Sequence, residues 1–185
     1  MALAVGTKAP DFKTTDQDGK EVRLSALKGK KVVLYFYPRD MTPGCTAEAC
    51  SLRDNYKALQ KAGYVVYGVS TDNEKSHQKF IQKEKLPFQL LADTDKSVHN
   101  LFGTWVEKSM YGRKYMGTAR ITYLIDEQGL ISEVIEKVDT RDHAAQILGG
   151  LPAQGKSPKV AKKAAKKVIK KTVAKTAPRK AKKKK

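Results

Sequence analysis

KVVLYFYPRDMTPGCTAEACSLRDNYKALQKAGYVVYGVS, residues 31–70, reads as a strand, a loop, a helix and a second strand. Lys31 to Tyr37 is a continuous apolar, aromatic and β-branched run stopped by Pro38, the pattern of a strand buried on both faces. Residues 38–44, PRDMTPG, are rich in breakers and form a loop. From about Thr46 to Lys61 apolar residues recur every three or four positions, at Ala49, Leu52, Tyr56 and Leu59, which predicts a helix with one core-facing stripe. Gly63 ends it. Tyr64 to Ser70, YVVYGVS, is again strand-like and apolar. Two buried strands joined through a helix require a parallel pair in a sheet.

The flanking sequence extends that unit. Residues 11–24 hold Asp18-Gly19 between two short extended runs and predict a hairpin. Downstream, Asn73 to Lys85 is a polar helix with Phe80 and Ile81 inward, Phe88 to Ala92 a strand, and Ser97 to Phe102 a short helix. Residues 103–118 show no period and read as a long loop containing Trp105, Tyr111 and Tyr115. Arg120 to Asp126 and Leu130 to Glu136 are strands joined by the turn Glu127-Gln128-Gly129, and Thr140 to Leu148 is a closing helix. The order predicts an α/β, thioredoxin-like fold: a central mixed sheet with helices on both faces.

The charge divides the chain. Of the net +18 over 185 residues, fifteen Lys and Arg lie between Lys156 and Lys185, with no acidic residue among them. Residues 1–155 then hold 22 basic and 19 acidic residues, the balance of an ordinary globular domain. The expected organisation is a domain over residues 1–150, a breaker-rich linker over 151–155 and a lysine tail over 156–185, disordered through self-repulsion when free. In the tail, paired lysines recur every four residues at Lys162, Lys163, Lys166, Lys167, Lys170 and Lys171, one face of a helix that an anionic partner could induce. Its composition resembles lysine-alanine-rich histone H1-like tails, which implies phosphate contacts with DNA or RNA; a merely solvated tail is the alternative. No run approaches a membrane span, and Met1 to Pro10 has no secretory pattern, so the expectation is a cytoplasmic protein, nucleoid-associated through its tail, or nuclear in a eukaryote.

Two cysteines, Cys45 and Cys50, stand five apart in this chain. They are too few to staple a secreted miniprotein and lack the further ligands of a metal site, which leaves a redox or catalytic pair. Cys45 sits where a loop enters a helix, and there first-turn amides and the helix dipole stabilise an anion. A thiolate so placed can attack a peroxide oxygen. Thr42 offers a hydroxyl that both donates and accepts; otherwise it is a turn residue before Pro43. Pro38 ends the strand without a backbone donor. Glu48 lies one turn into the helix and reads equally as a helix-start acid or a site residue.

Pro38, Thr42 and Cys45 match the P-x-x-x-T-x-x-C signature of the peroxiredoxins, and TPGCTAEAC resembles the peroxiredoxin Q (bacterioferritin comigratory protein) branch. The resemblance covers about residues 4–150. It implies a peroxidatic Cys45, a resolving Cys50 that forms an intramolecular disulfide with it, and an active-site arginine at Arg120, just before the strand RITYLID. It also implies hydroperoxide substrates, recycling by thioredoxin or a similar dithiol, a monomer and no bound cofactor. On an ideal helix, residues five apart have Cα atoms roughly 8.6 Å apart. A disulfide needs less than about 7 Å, so the first turns must unwind in each cycle. Arg39 and Arg53 read as surface residues, Tyr35, Phe36 and Tyr37 as core or cleft wall, Phe88 and Trp105 as packing residues. His77, His99 and His143 read as helix or surface residues rather than bases. Two other readings compete: a disulfide oxidoreductase, for which the cysteine spacing is wrong, and a nucleic-acid-binding protein on a thioredoxin-like scaffold.

Overall fold

The computed structural model describes residues 2–110 and 112–149. A seven-stranded mixed sheet runs through it in the order β2-β1-β5-β4-β3-β8-β9. Its strands are β1 (Lys13–Asp16), β2 (Glu21–Arg23), β3 (Lys31–Phe36), β4 (Tyr64–Ser70), β5 (Gln89–Ala92), β8 (Ile121–Ile125) and β9 (Ile131–Ile135). β3, β4 and β5 are mutually parallel, and the outer pairings are antiparallel. The helices are α1 (Pro43–Asp54), α2 (Tyr56–Lys61), α3 (Glu74–Glu84), α4 (Ser97–Leu101) and α5 (His143–Ile147).

The two-residue period of a strand divides β3 between two cores. Val32, Leu34 and Phe36 join Val69, Val98, Phe102 and Tyr123 on the face that carries α4. Val33, Tyr35 and Tyr37 join Cys45, Ala49, Leu52, Phe80 and Ile147 on the face that carries α1, α3 and α5. Both faces of β3 are therefore covered, which is why KVVLYFY lacks polar alternation. The first predicted hairpin is β1–β2, with Asp16 Oδ1 accepting from the amides of Asp18 and Lys20.

Three expectations are corrected. The helix begins at Pro43 rather than Thr46, because Thr42 is extended at the N-cap and Pro43 occupies the first helical position, where its missing N–H costs nothing. The single helix ending at Lys61 is two, α1 and α2, separated at Asn55 (φ −109°, ψ 13°), whose side-chain amide donates to the Ser51 carbonyl at 2.9 Å. Residues 103–118 are not an irregular loop: β6 (Trp105–Met110) and β7 (Arg113–Thr118) form a separate antiparallel hairpin. Among the described residues that hairpin joins no larger sheet, so its strands carry no apolar alternation to read. The linker, the tail and its six paired lysines lie outside the described residues.

Candidate active site

Strand pairing builds the site. β8 runs antiparallel to β3 with Phe36 opposite Ile121, so Arg120, one residue earlier, arrives beside the end of β3 where Pro38 stops the ladder. The chain then turns through Arg39, Asp40 and Met41 and enters α1 at Thr42. Cys45 lies in the first turn of that helix and is 2% exposed. First-turn amides have no intrahelical acceptor, and the dipole's positive end points the same way, so both favour negative charge on the sulfur.

Arg120 Nη2 donates to Cys45 Sγ at 3.3 Å, and its Nη1 pairs with Glu48 Oε2. Arg120 thus spans the sulfur and a carboxylate three residues further along the same helix. Burial works against its charge, but Glu48 and Cys45 outweigh that and raise its pKa. Glu48 is fully buried, and its Oε1 has no hydrogen-bond partner among the described residues. Burial therefore pushes Glu48 up to about 7 against the pull of Arg120. His143 Nε2 is 3.7 Å from Glu48 Oε1, but His143 is neutral: burial drives its pKa down to about 4. Its Nδ1–H donates to Gln146 Oε1 at 3.2 Å, and Nε2 shares a 2.9 Å hydrogen bond with Thr122 Oγ1.

Thr42 Oγ1–H donates to the Arg39 carbonyl at 3.0 Å, which leaves its lone pairs free to accept. The Thr42 carbonyl accepts the first helical hydrogen bond, from Thr46 N–H at 2.8 Å. Pro38 is half-buried at the strand end. Of the residues singled out from sequence, Cys45 and Arg120 are in contact, and Thr42 occupies the N-cap position of the Cys45 helix without a side-chain capping bond.

Cys50 stands apart from them. Both cysteines are free, and α1 is continuous through both positions. The Cys50 thiol donates to Glu84 Oε2 at 3.7 Å, and Arg53 Nη1 donates to the Glu84 carbonyl at 2.7 Å. Burial, with Glu84 adding to it, raises the Cys50 thiol above its ordinary value while Arg53 opposes. Arg53, read from sequence as a surface residue, thus ties α1 to α3.

One residue near the thiol carried no sequence signal. Lys108 on β6 donates to the Thr118 carbonyl, and burial and the like charge of Arg120 lower its pKa while Cys45 opposes. The β6–β7 hairpin therefore sets a second cation in the field of the thiol. The three histidines sit on helices as expected, but none is at the surface: all are fully buried. His77 is paired with Asp40 and His99 with Asp93. Trp105 packs edge-on to His99, and Phe88 edge-on to Tyr35.

Residues 5–134 match the AhpC/TSA family. Peroxiredoxin Bcp of Escherichia coli (strain K12) is 46% identical over 149 residues, spanning 80% of this chain and 96% of that protein. Peroxiredoxin Bcp of Bacillus subtilis (strain 168) is 44% identical over 148 residues, spanning 80% of this chain and 94% of that one. Among solved structures, the bacterioferritin comigratory protein of Xanthomonas campestris superimposes with a TM-score of 0.71 at 34% identity, covering 75% of this chain and 88% of that one; its structure was described with that protein's alkyl peroxide reduction activity.

Proposed function

The chain belongs to the AhpC/TSA family and is a thiol peroxidase of the peroxiredoxin type, and from that premise we propose which residues do the work. Cys45 is the peroxidatic residue. Its thiolate attacks the terminal oxygen of a hydroperoxide, the O–O bond breaks, and the sulfur becomes a sulfenic acid while an alkoxide or hydroxide leaves and takes a proton. Arg120 stabilises the thiolate and the charge that develops on the departing oxygen. Thr42 accepts from the peroxide O–H, since its own hydrogen is engaged by Arg39. Pro38 ends β3 without a backbone donor and shields the site from water. Hydrogen peroxide and organic hydroperoxides are the substrates; the alkyl peroxide activity of the Xanthomonas relative supports the second class. The observation that carries this reading is the 3.3 Å contact from Arg120 Nη2 to a sulfur in the first turn of α1.

Cys50 resolves the sulfenic acid. Its thiol attacks Cys45 Sγ, water leaves, and a Cys45–Cys50 disulfide forms, which thioredoxin or a similar dithiol then reduces in a reducing compartment such as the cytoplasm. The intact α1 must open first, because five helical residues separate the Cα atoms by roughly 8.6 Å. A thioredoxin-coupled peroxide assay tests the scheme. Cys45→Ser abolishes turnover, and wild type given one equivalent of peroxide yields the linked peptide by mass spectrometry. A persistent sulfenic acid, or only intermolecular disulfides, refutes the resolving role.

The tail supports an additional role. Fifteen basic and no acidic residues between Lys156 and Lys185 suit phosphate contacts through Lys162, Lys163, Lys166, Lys167, Lys170 and Lys171. Binding to duplex DNA is then independent of sequence and lost on removing residues 156–185, with a log–log salt slope of about −0.9 per phosphate contact. Binding that survives the deletion refutes it.

A further inference from the structure

The turn between β3 and α1 presents Thr42, yet it has no regular secondary structure of its own. Arg39 and Met41 are exposed, and Met41 adopts a left-handed conformation (φ +57°). Asp40 alone turns inward and is 5% exposed. Its Oδ1 accepts from Tyr37 Oη at 2.7 Å; its Oδ2 accepts from Ser76 Oγ at 2.6 Å and from His77 Nδ1 at 2.9 Å. His77 is fully buried, and its Nε2 donates to the Leu91 carbonyl at 3.2 Å. Both ring nitrogens thus face oxygen atoms within hydrogen-bond reach, Nδ1 the Asp40 carboxylate and Nε2 the Leu91 carbonyl. Burial works to raise the Asp40 pKa, and the bonds from His77, Ser76 and Tyr37 outweigh it and hold the carboxylate ionised.

The backbone beside this pair is fixed as well. The peptide between Arg39 and Asp40 is a rigid plane with a donor at one edge and an acceptor at the other. Its N–H donates to Asp72 Oδ2 at 2.9 Å, and Asp72 is itself held by Ser70 Oγ at 2.8 Å. Its C=O accepts the Thr42 hydroxyl hydrogen at 3.0 Å. The orientation of that one plane therefore sets the orientation of the Thr42 hydroxyl. The hydrogen bonds between Asp40 and its buried partners are directional, so they fix the carboxylate's orientation and with it the turn.

We propose that Asp40 and His77, with Asp72 on the adjoining peptide, are positioning residues that aim the Thr42 hydroxyl at the peroxide. This rests on the reading that Thr42 engages the peroxide. None of the three touches the reacting atoms; they act through the turn. The proposal confines their effect to reactions that need the hydroxyl. Oxidation of Cys45 by peroxide needs it, whereas alkylation of Cys45 by iodoacetamide needs only the thiolate and access.

The test uses the full chain carrying Asp40→Asn, His77→Gln, Asp72→Ala or Thr42→Val, and each of the first three combined with Thr42→Val. Two rates are read: single-turnover formation of the Cys45 sulfenic acid with hydrogen peroxide, and alkylation of Cys45. The expected result is at least a tenfold fall in the peroxide rate for the three positioning variants, with alkylation within twofold of wild type. Added to Thr42→Val, each costs less than a further twofold, because the group it positions is already gone. Wild-type peroxide rates, a fall that multiplies with that of Thr42→Val, or an equal fall in alkylation each overturns the proposal. Asp72→Ala leaves the buried pair intact and decides the matter should the Asp40 and His77 variants not fold. A wild-type peroxide rate in Thr42→Val alone instead overturns the underlying reading of Thr42.

Discussion

Replacing Glu48 by Gln should change the pH dependence of disulfide formation while leaving its chemistry in place. Glu48 lies between Cys45 and Cys50 on α1, so the unwinding that brings the cysteines together must carry it out of the core. In the wound helix burial pushes it up to about 7; in water it returns to its ordinary 4.5. The carboxyl has the higher pKa in the closed form, so protonation stabilises that form. This stabilisation is fully present below about pH 4.5 and lost as pH rises through about 7. The gap of about 2.5 pH units corresponds to about 3 kcal/mol, or a factor of about 300 in the opening equilibrium. Two buried neighbours stay out of that window: His143 is pushed down to about 4 and Tyr35 is raised well above its ordinary 10. Cys50, raised by burial above its ordinary 9.0, contributes a tenfold rise per pH unit in either protein. The assay follows conversion of the sulfenic acid to the disulfide by rapid quench and mass spectrometry between pH 5 and pH 8. The logarithm of the wild-type rate should rise with a slope approaching two below pH 7 and near one above it. Glu48→Gln should show a slope near one throughout, and at pH 8 should resolve about tenfold to about 300-fold more slowly. Superimposable profiles would refute the reasoning.

Arg120→Met should abolish rapid oxidation of Cys45 and also lower stability at pH 8, by about 3–5 kcal/mol, because it strands the buried Glu48 carboxylate; urea titration of both proteins checks this. Gly68→Ala should cost about 1–3 kcal/mol, since a Cβ there would sit 2.7 Å from Leu90 Cδ2 and from the Tyr35 ring, and thermal melts test it. His143 is neutral in the fold, with a pKa of about 4 against an ordinary 6.5. Its contribution is complete above about pH 6.5 and lost as pH falls towards 4, so His143→Gln should flatten the fall in wild-type stability over that range, measured by denaturant titration.

What the sequence determined by itself is local. The two-faced strand KVVLYFY, the breaker loop and the three-to-four spacing of Ala49, Leu52 and Leu59 are short-range patterns. Thr42 and Cys45 fall within one turn of each other, so the proposed nucleophile could be read along the chain as standing near a helix start. The helix start at Pro43, the Asn55 break and the period-free hairpin of β6 and β7 escaped that reading, because none of them changes a periodicity. The tertiary structure decided what the Cys45 sulfur meets. The β3–β8 register brings Arg120 across 75 residues to the sulfur, burial makes Glu48 its titrating partner, and three scattered histidines become buried members of polar networks. Contacts of that range depend on strand register and on desolvation, and neither quantity is written in any short stretch of residues.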